Sequence, residues 1–330
     1  MIDTLLKGFK DQNGLFSISE LCLLANVSRS GYYNYDHSRK CKEEELSALS
    51  GSIVYYCHYL RQKAHLPKAG GNQLYQLCKE YFGEKMVIGR DRFFDILRAN
   101  NLLLRAKRKR GVPRTTFGVV NHGFEDHVNR MVKYIPPTHC RLCVSDITHL
   151  KCSEGFVYLS LTMDAYSRII TGYSLQRNLT TKGSHEALKQ TVSFYEGHSL
   201  DVRGLIFHSD RGSQYVSKEM TSYEASLGII TSVTQTGDPL HNSMAERLNS
   251  TIKNDWLYDF SLLTFEETER ALDNSVLMYN TARPHSSVSM GTPMQTLIAN
   301  HPNPLISNKI GGDSGSSDIH LYDAQAVPTL

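Results

Sequence analysis

From Arg141 onward the apolar residues change period, and that change decides what kind of fold the chain can adopt. Leu142, Val144 and Ile147 read as a first strand, residues 156–163 as a second and 169–175 as a third, the last two joined through Asp164-Ala165-Tyr166-Ser167-Arg168. Connections this short make an antiparallel meander. A helical period follows over 181–195, a fourth strand over 204–208, a helix over 217–227 and a fifth strand over 229–233. Three strands followed by alternating helices and strands describe a mixed five-stranded α/β sheet with flanking helices. Residues 242–257 and 265–279 read as two further long helices, and the Gly, Ser and Asp content of 309–318 reads as part of a disordered tail.

The residues before the sheet are helical. In 17–35, Ser17 or Ser19 caps a short helix, Asn26-Val27 makes a turn and Ser28 caps a second helix carrying Arg29 and Ser30. This reads as a helix-turn-helix, whose second helix would offer Arg29 and Ser30 to the major groove. A charged helical stretch spans 41–61. A second such pair starts near Lys68, turns at Gly83 and resumes at Ile88-Gly89-Arg90, leaving Arg90, Arg92 and Arg98 free to meet phosphate. Arg105, Lys107, Arg108, Lys109 and Arg110 then place five cations in six positions, a basic linker suited to tracking DNA. The expected layout is 1–62 and 63–104 as two helix-turn-helix units, 105–135 as linker, 136–300 as the sheet domain with its C-terminal helices, and 301–330 as tail.

Charge divides along the same line. Residues 1–145 hold 23 Lys and Arg against 13 Asp and Glu, a net +10, while the remainder holds 13 against 20, a net −7. A basic half points to the phosphate backbone, and an acidic half with clustered carboxylates points to divalent cations. No apolar run approaches the ~18 residues that span a bilayer, and the charges in residues 1–10 come too early for a secretory leader. Seven scattered cysteines suit a reducing compartment, and Cys140-x-x-Cys143 beside His139 is half a zinc site with no second pair to complete it.

Asp146 falls in the first strand, Asp210 just past the fourth and Glu246 on the helix after the fifth. Carboxylates brought together this way repel unless cations lie between them, and oxygen ligands of this kind suit Mg²⁺. Asp164 and Asp238 are weaker rivals, since turns explain both. The neighbours of the three carboxylates are distinctive: Ser145-Asp146-Ile147-Thr148; residues 207–215, Phe-His-Ser-Asp-Arg-Gly-Ser-Gln-Tyr; and residues 237–253, from Gly237-Asp238-Pro239 through His241-Asn242 and Ala245-Glu246-Arg247 to Lys253.

These segments resemble the catalytic motifs of DDE transposases of bacterial insertion sequences, the OrfB-type enzymes of the IS-three family, whose core is similar to retroviral integrase. Tyr279-Asn280-Thr281-Ala282-Arg283-Pro284-His285 and Thr292-Pro293 resemble that family's C-terminal motif. The resemblance implies an RNase H-like core. It also implies a metal-binding triad of Asp146, Asp210 and Glu246, two Mg²⁺ ions with Mn²⁺ as substitute, and Lys253 as a DNA contact. Asn242 shares the Lys253 helix face at i and i+4 spacing through Glu246 and is a further candidate contact. Two positions depart from the common pattern: His241 stands where many relatives carry an acid, and no bulky aromatic precedes Asp146 near Cys143-Val144. The implied partners are double-stranded DNA, as terminal repeats and target, and further copies of the chain. The implied setting is the bacterial cytoplasm and nucleoid, the route copy-out and paste-in through a circle, and Met1 could begin only part of a frameshifted product. A nuclease of the same fold acting on RNA–DNA hybrids and a catalytically inert sequence-specific DNA-binding regulator are the alternatives.

Overall fold

A computed structural model of the chain describes residues 17–104, 123–129, 134–235, 242–257 and 263–301. Two compact units divide after Tyr56. In the first, Ser17 and Glu20 form a reciprocal capping box that starts α1 (Ile18–Leu24). Asn26 takes the left-handed conformation, φ 53°, that turns the chain, and Ser28 Oγ accepts the Gly31 N–H at 3.0 Å to open α2. The helix opened by Ser28 and the charged stretch read separately over 41–61 are one element: α2 runs uninterrupted over Arg29–Gln62. Asp36 pairs with Arg39 and Lys40 at 2.9 and 2.8 Å, so ion pairs at i+3 and i+4 bridge the supposed joint.

In the second unit α3 (Gly71–Phe82) and α4 (Arg90–Ala99) pack through Leu74, Leu77, Phe93 and Leu97, with the Tyr75 and Phe93 rings 5.2 Å apart. This pair is not a free-standing module. Gln73 Nε2 donates to the Pro284 carbonyl at 2.9 Å and Trp256 Nε1 to the His65 carbonyl at 2.7 Å.

The sheet comprises β1 (Leu142–Cys152), β2 (Gly155–Asp164), β3 (Ile170–Gln176), β4 (Ile206–Ser209) and β5 (Ile230–Val233), in the order β3-β2-β1-β4-β5. β1, β2 and β3 pair antiparallel as the sequence predicts, and β4 and β5 continue the sheet in parallel beyond β1. Helix α5 (Thr181–Gly197) crosses β3 closely enough that a Cβ on Gly172 would lie 2.0 Å from the Ala187 carbonyl oxygen. Only glycine fits there. Residues 123–129, expected within the linker, instead reach β5: Val233 N bonds the Glu125 carbonyl at 3.1 Å and His127 N bonds Ser232 Oγ at 2.9 Å.

Helix α6 (Lys218–Ser226) buries Glu224, whose carboxyl accepts the Thr231 hydroxyl. Burial pushes this carboxyl up to about 7 from its usual 4.5, against the smaller opposing effect of that hydrogen bond. The folded chain therefore keeps a proton that the unfolded chain releases, so stability is highest below the unfolded value and falls as pH rises toward 7. The loss should be about 3 kcal/mol across that window. Urea unfolding at pH 5 and pH 8 should show a smaller difference in Glu224→Gln than in the wild type, the remainder coming from Asp146, whose carboxyl is raised as well, and the variant should be the more stable protein at pH 8.

Candidate active site

The parallel register of β1 and β4 aligns the two aspartates. Val144 pairs with His208, so two residues further along, on the same side of both strands, Asp146 comes level with Asp210 just beyond the end of β4. Behind them Ser145 Oγ donates to the Leu161 carbonyl at 3.1 Å and contacts Tyr215 Oη at 3.0 Å, fixing β1 from its buried face. Gly212 N–H donates to Asp210 Oδ1 at 3.0 Å, and a Cβ at Gly212 would stand 3.0 Å from that same oxygen.

The third carboxylate arrives on α7 (Ser243–Ile252), which packs across β1 and β2. Glu246 is exposed on its first turn, while Asn249, one turn on, donates from Nδ2 to Asp146 Oδ2 at 2.8 Å. Lys253 donates from Nζ to Thr148 Oγ1 at 3.1 Å and to the His149 carbonyl at 2.9 Å. Asp146, Thr148, Glu246, Asn249, Ser250, Lys253 and Asn254 thus line one open cleft of about 350 Å³. The helix expected to run unbroken to Leu257 widens into a π turn over Lys253–Leu257. Asn254 Nδ2 bonds the Ser250 carbonyl at 2.6 Å and so competes for an acceptor of the α-helical ladder.

Burial and the neighbouring charge of Asp210 push the Asp146 carboxyl up to about 7, Glu246 adding to the shift and the Asn249 bond opposing it. Burial also raises Asp210, against the Gly212 N–H, Arg211 and His208. Lys253 moves down through burial, with Asp146 pulling the other way. Asp146 is therefore the shared member, sensing both other carboxylates. Among the described residues no three carboxylate, imidazole or thiol side chains close into a single ready-made metal cage.

Asn242 has a different place from the one its spacing implied. It is buried, and its Nδ2 donates to the Ser145 carbonyl at 3.0 Å, so it clamps the start of α7 to β1 rather than facing DNA. Asn249 was legible only as a position on the Glu246 face; its bond to Asp146 needed the packing of α7 on β1. Arg29, Ser30, Arg90 and Arg92 are exposed at the starts of α2 and α4, with Arg90 3.7 Å from Asp91. Arg98 is not free as expected, since it pairs with Asp95 at 2.5 Å. Arg105, Lys107, Arg108, Lys109, Arg110, Asp238 and His241 lie outside the described residues. Asp164 is a buried structural hub: its oxygens accept from Cys140 N, Tyr166 N, Ser167 N, Ser167 Oγ and Tyr195 Oη at 2.7–3.0 Å. The two nearby cysteines are buried thiols, Cys140 donating to the Asp201 carbonyl and Cys143 meeting Tyr195 Oη at 3.1 Å.

A sheet of this order, with aspartates at its β1–β4 junction and a carboxylate on the helix crossing it, defines an RNase H-like core of the integrase class. Two family models, both described as integrase core domain, match residues 138–239 and 227–293. A 31 kDa protein of insertion element IS600 from Shigella sonnei is 27% identical, covering 83% of this chain and 96% of that protein. A transposase-like protein of Haemophilus influenzae is 31% identical, covering 54% of this chain and 80% of its own length. Among solved structures, the simian T-cell lymphotropic virus intasome aligns over 72% of each chain at 17% identity with a TM-score of 0.43. The chain belongs to the insertion-sequence transposases with an integrase-type core.

Proposed function

We propose that the chain is a DNA transposase that nicks the 3′ ends of its element and joins them to another phosphodiester. The observation that carries this reading is the β1–β4 register, which sets Asp146 level with Asp210, while α7 brings Glu246 and Lys253 to the cleft Asp146 lines. Asp146, raised by burial and further by the charges of Asp210 and Glu246, fits a site that cations complete, and the buried Asn249 Oδ1, which has no protein partner, is a further acceptor close by. In this reading Asp146 and Asp210 would hold one Mg²⁺, and Asp146 and Glu246 a second, with Mn²⁺ able to substitute. Held there, such ions would supply the activation of water or a 3′-hydroxyl, and the charge neutralisation, that an in-line displacement at phosphorus needs.

The chain's own residues do the positioning. Asn249 fixes the Asp146 carboxylate, Asn242 fixes the start of α7, and Lys253 offers a half-buried cation to the DNA end. The helix-turn-helix segments of 1–62 and 63–104, with Arg29, Ser30, Arg90 and Arg92, read the terminal repeats. The basic run 105–110 follows the backbone toward the core at 136–300, and further copies of the chain pair the two ends. Mixing the protein and Mg²⁺ with DNA flanking its coding region tests the reading: nicked 3′ ends and joined products are expected, and intact DNA counts against it. Lys253→Ala should lose about tenfold or more in joining, consistent with loss of a charged hydrogen-bonding group, and raising Mg²⁺ should not restore it. Recovery at high Mg²⁺ would make Lys253 a contributor to metal binding instead.

A further inference from the structure

The C-terminal motif around Tyr279–His285 takes no part in the carboxylate cleft, yet it completes a second cluster beside it. Asn280 accepts the Ile170 N–H at 2.9 Å and donates to the Ile170 carbonyl at 3.0 Å, clamping the end of α8 (Phe265–Thr281) to the start of β3. That clamp brings Tyr279, Arg283 and His285 to the β2–β3 turn, where Arg168 stands in the left-handed conformation at φ 66°. Arg168 lays Nη1 against the Met244 sulfur on α7, three residues before Arg247 and so on the same helix face. The Arg283 guanidinium lies 5.8 Å from the Tyr279 ring, and the His285 imidazole lies edge-on to the same ring at 6.2 Å.

The cluster is rich in donors and short of acceptors. Arg168 Nε is buried without a hydrogen-bond partner, and a thioether is a poor acceptor for its Nη1. Among the described residues Arg247 has no ion pair, whereas Arg283 has Asp255 at 3.1 Å. Asp164 acts on Arg168 from a distance, but its carboxylate is already filled by five donors. His285 Nδ1 accepts the Ser287 N–H at 3.2 Å, which assigns its proton to Nε2 as one more donor. Burial and the charges of Arg283, Arg168 and Arg247 together hold this imidazole down to about 4, so it is neutral at pH 7. Three guanidiniums and an imidazole N–H around one place match an oxyanion, and guanidinium forks match phosphate in particular.

We propose that Arg168, Arg247 and Arg283, gathered around Tyr279 and His285, seat a DNA phosphodiester beside the carboxylate cleft. This rests on the DNA-joining reading above. The seat lies next to the cleft because Arg247 follows Glu246 on α7, about 100° further round the helix.

The test reads binding without cleavage, using the full chain, Ca²⁺ in place of Mg²⁺ and a duplex carrying the element's end. Arg247→Ala changes an exposed side chain, and Arg168→Lys keeps the charge but removes the fork. Arg247→Ala should weaken binding about tenfold and flatten the dependence of log K on log salt by about one. Replacing single phosphates by neutral methylphosphonates should find one position that weakens the wild type and costs Arg247→Ala nothing further; Arg168→Lys should be insensitive at the same position. Unchanged affinity and slope in both variants would overturn the seat alone. So would inorganic phosphate stabilising the wild type while DNA affinity stayed the same in the variants. Failure of the wild type to bind the duplex at all would overturn the DNA-joining reading and the seat together.

Discussion

Asp146→Asn is expected to lower DNA nicking and joining on the order of 10³-fold or more, the scale lost when a fixed charge of a reaction site is removed, while end binding and folding persist. The side chains have the same shape, and the Asn249 Nδ2 donor that meets Asp146 Oδ2 at 2.8 Å can meet the amide oxygen instead. The lost charge is the one that both Asp210 and Glu246 act upon. A buried carboxylate near two others costs stability when no cation is bound, so the variant's unfolding midpoint in a chelating buffer should be no lower than the wild type's. Activity and stability therefore move independently. A matched loss of both would mean that Asp146 serves the fold.

Asp164→Ala should do the reverse and destabilise the whole second unit. Its carboxylate gathers five donors from three places: the approach to β1, the β2–β3 turn and α5. Truncation leaves the Cys140 and Ser167 N–H groups buried without an acceptor and the Tyr195 hydroxyl with only the weak acceptor Cys143 Sγ, and replaces a packed side chain by a hole. Breaking a buried charged network of this kind costs about 3–5 kcal/mol, equivalent to a fall in Tm of roughly 10 °C for a domain of this size. Thermal unfolding followed by circular dichroism reads it directly. A shift below about 2 °C would mean that water replaces the carboxylate. The two aspartates, eighteen residues apart on adjacent strands, differ in their surroundings: five protein donors fill the fully buried Asp164, whereas Asp146 lines an open cleft and feels two other carboxylates.

The sheet was legible because period-two apolar runs with short connections leave few alternatives, and the five strands appear with ends shifted by only a few residues except β1, which extends to Cys152. The three carboxylates stood out in the sequence by their neighbours, and the β1–β4 register and α7 place Asp146 level with Asp210 and in one cleft with Glu246. Other features depend on contacts distant in sequence. Within α2, Asp36 pairs with Arg39 and Lys40 across the place where the sequence reads as two stretches, a small helical support that the tyrosines do not announce. The π turn after Ile252 follows from the Asn254 amide and from anchors at Asp255 and Trp256 to Arg283 and the His65 carbonyl. Residues 123–129 lie beside a basic run and carry little periodicity, so only their bonds to β5 assign them to the core. Asn242 sits on the right helical face for a DNA contact, but the cap position of α7 turns its amide onto β1.

The central claim is that Asp146, Asp210 and Glu246 hold metal ions together, and a change of ligand softness tests it most directly. Glu246 is exposed at the cleft, so Glu246→Cys should fold normally. A thiolate is a poor ligand for Mg²⁺ and a better one for softer divalent ions. Joining of the flanking DNA by Glu246→Cys should be undetectable in Mg²⁺ and return in Mn²⁺, whereas the wild type works in both. Full activity of the variant in Mg²⁺, or no recovery in Mn²⁺ with DNA binding intact, would contradict ligation by Glu246 and the shared metal site with it.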